Sequence, residues 1–423
     1  MIFDSESVFE DNVITVLKQH GWKDGVLRYP TEQDLLDNWK GILYRNNNDI
    51  DRLGKYPLTD GEMAQIIEQI ETLRTPLALN SFVNGRTVSI TRDNKEDVAH
   101  FGKEISLYIY DRKEIAGGKS TYQIAQQPVY PAKNKMLNSR RGDLVLLING
   151  MPLIHIELKK SGIPVSQATN QIEKYTHEGV FTGLFRLVQI FVAMNPDDAV
   201  YFANPGVDKF NPSYYFHWAD YNNEPICGGQ NPGKDEWKLF IGGTSGTAGL
   251  LSIPMAHQLI GFYTIADSAD GCLKVLRSYQ YIAANAISDV VRKCDWEQRP
   301  TTPGRPGGYV WHTTGSGKTM TSFKSAQLIA DSHDADKVVF LMDRIELGTQ
   351  SLKEYRSFAD SETEVQGTEN TGVLRDKLNS TNVNDTLIVT SIQKMSNVKA
   401  GERGVTQAWL DQLAARRIVF IVD

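Results

Sequence analysis

The sequence has few cysteines, no long apolar run and no excess of basic charge, and each shortage excludes a class of protein. Its three cysteines, Cys227, Cys272 and Cys294, lie far apart and form no CxxC pair. This spacing argues against a zinc knuckle or a disulfide framework and favours reduced thiols. No apolar run reaches the roughly 18–20 residues of a membrane-spanning helix, and the acidic N-terminus lacks a signal-peptide pattern. A cytoplasmic location without a membrane partner is therefore expected by default.

The net charge of −6 is the one feature of the composition that argues against nucleic-acid binding, because proteins that neutralise phosphates usually carry a basic face. Net charge does not describe where charges lie, however, and an acidic enzyme can hold a local basic groove. A basic strip occurs at Lys133, Lys135, Arg140 and Arg141. It is suited to contact a DNA backbone, and a solvated loop explains it equally well.

The 423 residues are expected to form two domains, residues 1–250 and 251–423. In the first, a helix starts near Ser5 or Ser7 and stops at Gly21, and further helices are expected over 60–74 and 167–178. Strands are expected at 88–91, 106–110, 122–129, 143–148, 152–158 and 185–194, and residues 203–249 as the edge of the domain and a connection. In the second domain, helices at 261–294 and 318–330 alternate with strands at 309–311, 338–342, 386–390 and 418–422. This alternation predicts a parallel sheet with crossover helices, so the fold class is α/β.

A glycine-containing loop in the second domain is typical of a nucleotide-binding site. Residues 312–319 read His-Thr-Thr-Gly-Ser-Gly-Lys-Thr between an expected strand and an expected helix, so backbone N–H groups and the helix dipole can meet phosphate oxygens. Lys318 is expected to reach the β- and γ-phosphates of ATP, and the Thr319 hydroxyl to bind Mg²⁺. His312 stands where the usual pattern has another glycine. The expected nucleotide-binding residues of the loop are Thr314, Gly315, Ser316, Gly317, Lys318 and Thr319.

The region around this loop resembles superfamily 2 helicases and translocases, which often keep only the second half of the loop pattern. Segments 277–280, 340–344, 390–394 and 420–423 follow the order of that family. The resemblance implies that Gln280 reads the adenine base, that segment 390–394 meets a nucleic-acid backbone and that Asp423 holds Mg²⁺. In the family, a glutamate follows that aspartate and a second RecA-like domain supplies an arginine finger. The chain is therefore expected to be a fragment that binds ATP weakly and barely hydrolyses it.

Asp143, Glu157 and Lys159 have the side-chain types that a metal-dependent nuclease needs. Carboxylates can hold a divalent ion that activates water, and a lysine can orient the nucleophile or neutralise charge. The acid-x-Lys spacing alone is weak evidence, because it recurs at 93–95, 111–113 and 236–238. Only Glu157 follows a continuous apolar strand and has an upstream acid at the start of a partner strand. The sequence therefore predicts Asp143 and Glu157 as metal ligands and Lys159 as a further catalytic residue.

Asn149-Gly150 is a strong hairpin turn that brings Asp143 and Glu157 to the same end of two strands. A strict two-residue loop would set Asp143 opposite Ile156 and turn Glu157 to the other face of the sheet. A three-residue loop would pair Asp143 with Glu157 and keep Lys159 on the same face. A nuclease centre therefore requires the three-residue register or a bulge. The other interpretation is a pair of solvated charges that cap a buried hairpin.

Gln171 and Tyr175 lie four residues apart and so share one face of the expected helix. They resemble the Gln-x-x-x-Tyr element of RecB-like nucleases, which adjoins the active site; Gln167 is an alternative glutamine. The same resemblance implies that Glu10, on the first helix, supplies another acid to the metal site. Glu6 competes for that role, and Glu10 is explained about equally well as a surface glutamate.

Segments 138–143, 149–153, 156–160 and 171–175 together resemble the R subunit of type I restriction endonucleases, and the resemblance covers nearly all of the chain. It implies a restriction-endonuclease-like PD-(D/E)xK domain with a mixed sheet, followed by a truncated RecA-like domain. The implied enzyme is a type I site-specific deoxyribonuclease that pumps double-stranded DNA with ATP and cuts it with Mg²⁺. Methyltransferase (M) and specificity (S) subunits would supply sequence recognition.

Two other functions stay open at this point. One is a stand-alone superfamily 2 helicase–nuclease of DNA repair, which would not depend on S-adenosylmethionine or site methylation for cleavage. The other is a nucleotide-gated DNA-binding module whose acids are structural, which would bind no metal at Asp143.

Overall fold

The computed structural model describes residues 2–115, 118–131, 140–207, 209–228, 235–297, 307–342, 345–359, 364–402 and 405–422. The chain divides into two compact units, the first comprising Met1–Ala266 and Asp270–Ser278 and the second Asp267–Ala269 and Tyr279–Asp423. The first unit thus extends past residue 250, where the sequence placed a boundary. It does so because the Trp22 indole and the Tyr201 hydroxyl donate hydrogen bonds to the carbonyls of Leu251 and Leu276, at 2.6 and 2.9 Å.

The expected helices near residues 5–20, 60–74 and 167–178 are present in the first unit, and a strand lies in or overlaps each of the six expected stretches, but several further helices and strands were not predicted. Its helices in the described residues are α1 Glu6–Gln19, α2 Glu32–Asn46, α3 Asp60–Thr72, α4 Pro76–Asn84, α5 Val165–His177, α6 Glu236–Gly242 and α7 Met255–Gly261. Its strands are β1 Val26–Arg28, β2 Thr87–Thr91, β3 Glu104–Tyr108, β4 Tyr122–Gln126, β5 Leu144–Ile148, β6 Met151–Leu158, β7 Ile190–Met194, β8 Ala199–Ala203, β9 Thr264–Asp267 and β10 Cys272–Val275.

A six-stranded mixed sheet within the described residues forms the centre of this unit, in the order β1-β4-β5-β6-β7-β8. Strands β1 and β4 pair in parallel, as do β6 and β7, whereas β5 runs antiparallel to both of its neighbours. The ends of β1, β4 and β6 and the start of β5 therefore share one edge of the sheet. All side chains of β5 and β6 are buried, so polar residues at that edge lie at the rim of the core.

Helix α1 reaches the same part of the unit and confirms the expected bounds. It begins after Ser5, whose side chain accepts a hydrogen bond from the Val8 N–H. It ends at Gln19, and Gly21 follows with a φ of +110°, a conformation that glycine adopts without strain.

The second unit contains a four-stranded sheet in the described residues, in the order β12-β13-β11-β14, and every pairing is parallel. The predicted parallel sheet with crossover helices is therefore confirmed. The helices are α8 Ser278–Arg292, α9 Lys318–Ser332, α10 Ile345–Phe358, α11 Thr371–Asn379, α12 Ile392–Ser396 and α13 Gln407–Ala414. The strands are β11 Lys337–Met342, β12 Val365–Gly367, β13 Leu387–Ser391 and β14 Ile418–Val422.

Three local expectations are wrong. Residues 261–294 are not one helix, because β9 and β10 form a hairpin whose turn includes Gly271 at φ +64°, and α8 starts only at Ser278. Residues 309–311 are not a strand, since they pair with no described strand and the Tyr309 and Trp311 side chains are 90% and 86% exposed. Residues 185–194 become a strand only from Ile190, after a short 3-10 helix.

Candidate functional site

The β5–β6 hairpin sets the geometry of the first candidate site. Asn149 and Gly150 have φ values of 53° and 84°, as a two-residue type I′ turn requires, and Ile148 pairs with Met151. The register then shifts between Leu146 and Leu147, and beyond the shift Leu144 pairs with Ile156. This irregularity is the bulge that a nuclease centre was predicted to need, and the prediction is confirmed. Continuing the shifted register sets Asp143 opposite Glu157.

Glu157 is a carboxylate enclosed in the protein without a hydrogen-bond partner. Its side chain is 0% exposed, and neither of its oxygens has a partner among the described residues. Burial raises the pKa of Glu157 to about 8. Lys159 approaches it only to 3.5 Å, and a buried carboxylate that accepts no hydrogen bond is costly, so this position favours either a proton or a cation.

Asp143 lies beside it at the start of β5. One carboxylate oxygen, Oδ2, accepts a hydrogen bond from the Leu158 N–H at 2.6 Å, which ties it to the end of β6. Asp143 keeps some exposure to solvent, yet the surrounding protein atoms and the charge of Glu157 raise its pKa to about 8. The two acids therefore oppose each other's ionisation.

Lys159 is the cation closest to this pair that the structure describes. Its Nζ lies 3.5 Å from Glu157 Oε1 and 3.6 Å from Glu6 Oε1, and it donates a hydrogen bond to the Leu158 carbonyl at 2.8 Å. Residues 157 and 159 are two apart on an extended chain, so they project to the same face. The three predicted side chains thus meet at one edge of the sheet.

Glu10 and Glu6, the two alternatives on α1, occupy different positions. Glu10 is buried, and its Oε1 accepts hydrogen bonds from Gln126 Nε2 at 2.6 Å and Gln127 Nε2 at 3.3 Å. Burial raises the pKa of Glu10, although the bond from Gln126 acts in the opposite direction, and the charge of Asp143 adds to the rise. Glu6 is more exposed and faces Lys159.

Gln171 and Tyr175 lie together on α5, and they hydrogen-bond to each other and to a backbone carbonyl rather than to the acids. Gln171 Nε2 donates to the Tyr175 hydroxyl at 2.7 Å, and that hydroxyl donates to the Arg141 carbonyl at 3.0 Å. The pair therefore anchors the segment that leads to Asp143. Gln167, the alternative, is exposed on the same helix.

Sequence reasoning missed His155, a buried residue of this centre. His155 Nε2 lies 3.4 Å from Glu157 Oε2, and His155 Nδ1 shares a 2.9 Å hydrogen bond with the Tyr130 hydroxyl. Burial lowers the pKa of His155 to about 4, so the ring is neutral at physiological pH. The two-residue spacing could have revealed it, because residues 155, 157 and 159 project to the same face of an extended chain.

A divalent cation fits the residues of this edge. Mg²⁺ takes oxygen ligands and is usually held by one or two carboxylates with several waters, and Asp143 and Glu157 supply two. The observation that carries this fit is that neither buried oxygen of Glu157 accepts a hydrogen bond from the described residues. Across the described residues no group of three or more His, Cys, Asp and Glu side chains is arranged as a metal site, which leaves the pair, with Glu10 behind it.

The phosphate-type loop of the second unit has the backbone that its glycines suggest. Gly315 and Gly317 have φ values of 77° and 87°, and α9 begins directly afterwards at Lys318. The φ of Gly317 favours glycine, and a Cβ there would lie 2.5 Å from Gln280 Nε2, so it would displace that amide. Thr319 lies in the first turn of α9, and its carbonyl accepts a hydrogen bond from the Ser322 hydroxyl.

The side chains around this loop hold it by hydrogen bonds. Tyr279 donates to the Ser316 carbonyl at 2.7 Å, and Gln280 Nε2 donates to the Gly317 carbonyl at 3.2 Å. His312 Nδ1 lies 2.8 Å from Ser316 Oγ, which itself donates to the Thr313 carbonyl. His312 thus fixes the loop from the position where another glycine was expected, and its pKa is lowered, chiefly by burial.

A cavity of about 980 Å³ in the second unit is lined in part by Lys318 and His312. Segment 390–394 begins at the end of β13, where the Ser391 side chain caps α12 by accepting a hydrogen bond from the Lys394 N–H.

Some of the predicted residues lie outside the described ranges. They are Lys133, Lys135, residues 138–139, 343 and 344, and the predicted metal ligand Asp423. Among the helices that the structure describes, none combines the length and the apolar character of a membrane crossing.

Comparisons with known proteins cover both units. Residues 4–210 match the family model of the type I restriction enzyme R protein N terminus, and residues 279–423 match that of the SWI2/SNF2 ATPases.

Curated relatives extend this similarity to the whole chain. The endonuclease subunit of a type I restriction enzyme from Staphylococcus saprophyticus is 32% identical over 431 residues, which cover 100% of this chain and 40% of the relative. A corresponding subunit from Staphylococcus aureus strain COL is 32% identical over 425 residues, with the same coverage. The Escherichia coli EcoprrI endonuclease subunit is 26% identical over 343 residues, covering 74% of this chain and 99% of the relative. The chain thus spans about 40% of the length of the staphylococcal relatives.

Proposed function

The chain belongs to the type I restriction enzyme R proteins, and on that premise we propose that it couples ATP-dependent DNA translocation to Mg²⁺-dependent cleavage of double-stranded DNA. Cleavage belongs to the first unit and nucleotide binding to the second. The observation that carries the proposal is the carboxyl pair Asp143 and Glu157, facing each other across the bulged hairpin, with neither oxygen of Glu157 accepting a hydrogen bond from the described residues.

In the proposed nuclease centre, Asp143 and Glu157 hold Mg²⁺, with Glu10 as a further acid. A bound Mg²⁺ lowers the pKa of water and stabilises charge on the phosphate. Lys159 neutralises negative charge beside Glu157, which it approaches to 3.5 Å. Gln171 and Tyr175 position Asp143 by fixing the Arg141 carbonyl. Acids at the end of β6 and the start of β5 in a mixed sheet favour a PD-(D/E)xK arrangement of this unit.

In the proposed motor unit, the N–H groups of residues 314–318 and the Lys318 amine bind the phosphates of ATP. The Thr319 hydroxyl and the Asp423 carboxylate would hold its Mg²⁺. Gln280 would hydrogen-bond to the adenine base. Its amide also donates to the Gly317 carbonyl, so the same side chain would link the base to the phosphate-binding loop. The parallel order β12-β13-β11-β14 favours a RecA-like arrangement.

The proposed partners are double-stranded DNA and the M and S subunits of a type I complex, which would supply site recognition. Cleavage that depends on S-adenosylmethionine and on the methylation state of the site would support this assembly. Cleavage by the subunit alone, indifferent to both, would instead support a stand-alone helicase–nuclease.

The proposal is tested with Asp143→Asn in the full-length subunit, assembled with M and S. We expect cleavage to fall by on the order of a hundredfold or more, because one metal ligand is lost, while ATPase activity stays within about twofold of the wild type. Asp111→Asn is the matched control: it makes the same substitution at an aspartate outside the proposed centre, one that starts another acid-x-Lys spacing of the chain and pairs with Arg86. Equal cleavage in both variants, or a joint loss of cleavage and ATPase activity in Asp143→Asn, would contradict this division of roles.

A further inference from the structure

An exposed tyrosine and an exposed arginine stand at the same sheet edge as the carboxyl pair, and neither has a role in the centre described above. Tyr29 follows β1, and its side chain is 51% exposed. The Arg141 guanidinium lies over the Tyr29 ring, with Cζ 5.7 Å from the ring centroid. Arg141 precedes Asp143 by two residues, so the pair adjoins the proposed metal site.

Tyr29 is held in a backbone conformation that tyrosine rarely adopts. Its φ is +54°, in the left-handed region where a side chain strains the backbone. Hydrogen bonds enforce this conformation, because the Tyr29 N–H donates to the Gln126 carbonyl at 2.8 Å and the Val129 N–H donates to the Pro30 carbonyl at 2.9 Å. A glycine would meet the same backbone demand without strain. A strained position that keeps a large exposed ring points to a role for the ring.

Arg141 is fixed through its backbone, which leaves its charge at the surface. Its backbone forms an isolated antiparallel β-bridge with Val129, and its carbonyl accepts a hydrogen bond from the Tyr175 hydroxyl. Within the described residues, Arg141 forms no ion pair. Its neighbour Arg140 differs in this respect, because its guanidinium makes two hydrogen bonds to Glu178 at 2.9 and 3.0 Å. Of these two adjacent arginines, only Arg141 presents a charge that no described acid neutralises.

We propose that Tyr29 and Arg141 form a contact for duplex DNA beside the cleavage centre, with Arg141 on a phosphate next to the scissile one and the Tyr29 ring against the adjoining nucleotide. An extended chain advances about 3.3 Å per residue, so Arg141 lies roughly 6–7 Å along the strand from Asp143. One DNA strand carries a phosphate about every 3.4 Å of helix rise. A phosphate near the scissile one therefore comes within reach of the guanidinium. The proposal rests on the nuclease function proposed above.

Charge at this edge supports the assignment. Four acids, Asp143, Glu157, Glu10 and Glu6, face Lys159 alone among the described cations of the centre. Once these acids are ionised, as metal binding requires, their charge alone would repel DNA. A bound divalent ion offsets part of this charge, and Arg141 supplies a further positive group on the approach. The Tyr29 ring under the guanidinium orients it, since a cation over a ring face is held by the ring's negative face.

The experiment measures how the chain binds a short fluorescein-labelled DNA duplex by fluorescence anisotropy over a range of NaCl concentrations, with Ca²⁺ in place of Mg²⁺ to slow cleavage. For Arg141→Gln we expect affinity to fall about five- to tenfold and the slope of log K against log [salt] to lose about one unit, because one phosphate contact is removed. Arg140→Gln changes the net charge equally and is the matched control; its affinity should stay within about twofold, since Glu178 already neutralises that side chain.

Tyr29→Gly and Tyr29→Phe test the ring. Tyr29→Gly should weaken binding about fivefold or more without changing the salt slope, since an uncharged contact is lost, while the melting temperature holds or rises as the strain is relieved. Tyr29→Phe should bind as the wild type does. Wild-type affinity in Arg141→Gln or Tyr29→Gly would overturn the inference and leave the nuclease assignment intact. Failure of the wild-type chain to bind the duplex would overturn both together.

Discussion

Replacing Glu157 with glutamine should make the first unit more stable at alkaline pH, although it removes a residue from the proposed centre. The pKa of Glu157 is raised from 4.5 to about 8 by burial. Between those two pH values the folded protein keeps a proton that the unfolded chain has released, so the free energy of unfolding falls as the pH rises. Above about pH 8 the folded protein carries the full penalty of a buried carboxylate. Glutamine does not titrate, so the variant escapes this loss.

The size of the effect follows from the same pKa. At about 1.36 kcal/mol per unit of pKa, the rise from 4.5 to about 8 corresponds to roughly 5 kcal/mol. This figure already includes the attraction of Lys159, which opposes the rise. A buried amide without hydrogen-bond partners itself costs roughly 1–3 kcal/mol, so we expect a net gain on the order of 2–3 kcal/mol above pH 8. For a unit of this size that gain corresponds to a melting temperature roughly 3–5 °C higher. Below pH 4.5 the gain disappears, because Glu157 is then protonated in both states.

The assay is calorimetric unfolding of both proteins from acid to alkaline pH in EDTA, and again with Mg²⁺. Mg²⁺ at about one hundred times its dissociation constant should stabilise the wild type by about 2.7 kcal/mol and the variant by much less. Glu178→Gln is the control, because Glu178 is a partly exposed partner of Arg140 outside the acid pair. A Glu157→Gln protein that is no more stable than the wild type at pH 8.5 would refute the reasoning, since Glu157 would then be solvated or already paired.

Two further outcomes are expected. Gly150→Ala should destabilise the protein by on the order of 2 kcal/mol in urea unfolding, because Gly150 has a φ of +84° and a Cβ would lie 2.9 Å from Trp39 Cα; an unchanged midpoint would contradict the tight turn. Lys318→Ala should abolish ATP-driven translocation in the full-length subunit while Mg²⁺-induced stabilisation of the first unit remains. Normal ATPase activity in that variant would refute the loop assignment.

The hairpin that carries the acid pair could be predicted in detail because the residues that determine its turn and register lie within the hairpin itself. Asn149-Gly150 selects the turn, alternation along β6 sets the faces, and chemistry demands that Asp143 and Glu157 meet. These three constraints leave a bulge or a longer loop as solutions, and the structure has a bulge, seen as the register shift between Leu146 and Leu147. The positions of β11, β13 and β14 in the second unit were likewise readable from their apolar runs, whereas the short strand β12 was not predicted.

Elements whose identity depends on distant contacts could not be predicted as well. Residues 264–275 have helix-compatible apolar spacing, and only the turn at Gly271 separates them into β9 and β10. Helix α2 went unrecognised, although Thr31 and Asp34 form a capping box at its start and a capping box is a local helix signal. The division between the units near Ser278 rests on hydrogen bonds such as that from Tyr201 to Leu276, which no sequence pattern encodes.

The same limit applies to the surroundings of the acids, and it decides what the centre can do. The sequence supplies Glu157, but the fold determines that both of its oxygens lie without hydrogen-bond donors, that His155 beside it is neutral, and that Gln126 and Gln127 satisfy Glu10 instead. A carboxyl pair whose pKa values lie near 8 holds protons at neutral pH unless a cation replaces them. Burial at the end of β6 is therefore what turns two ordinary acids into a site where a divalent ion competes with protons.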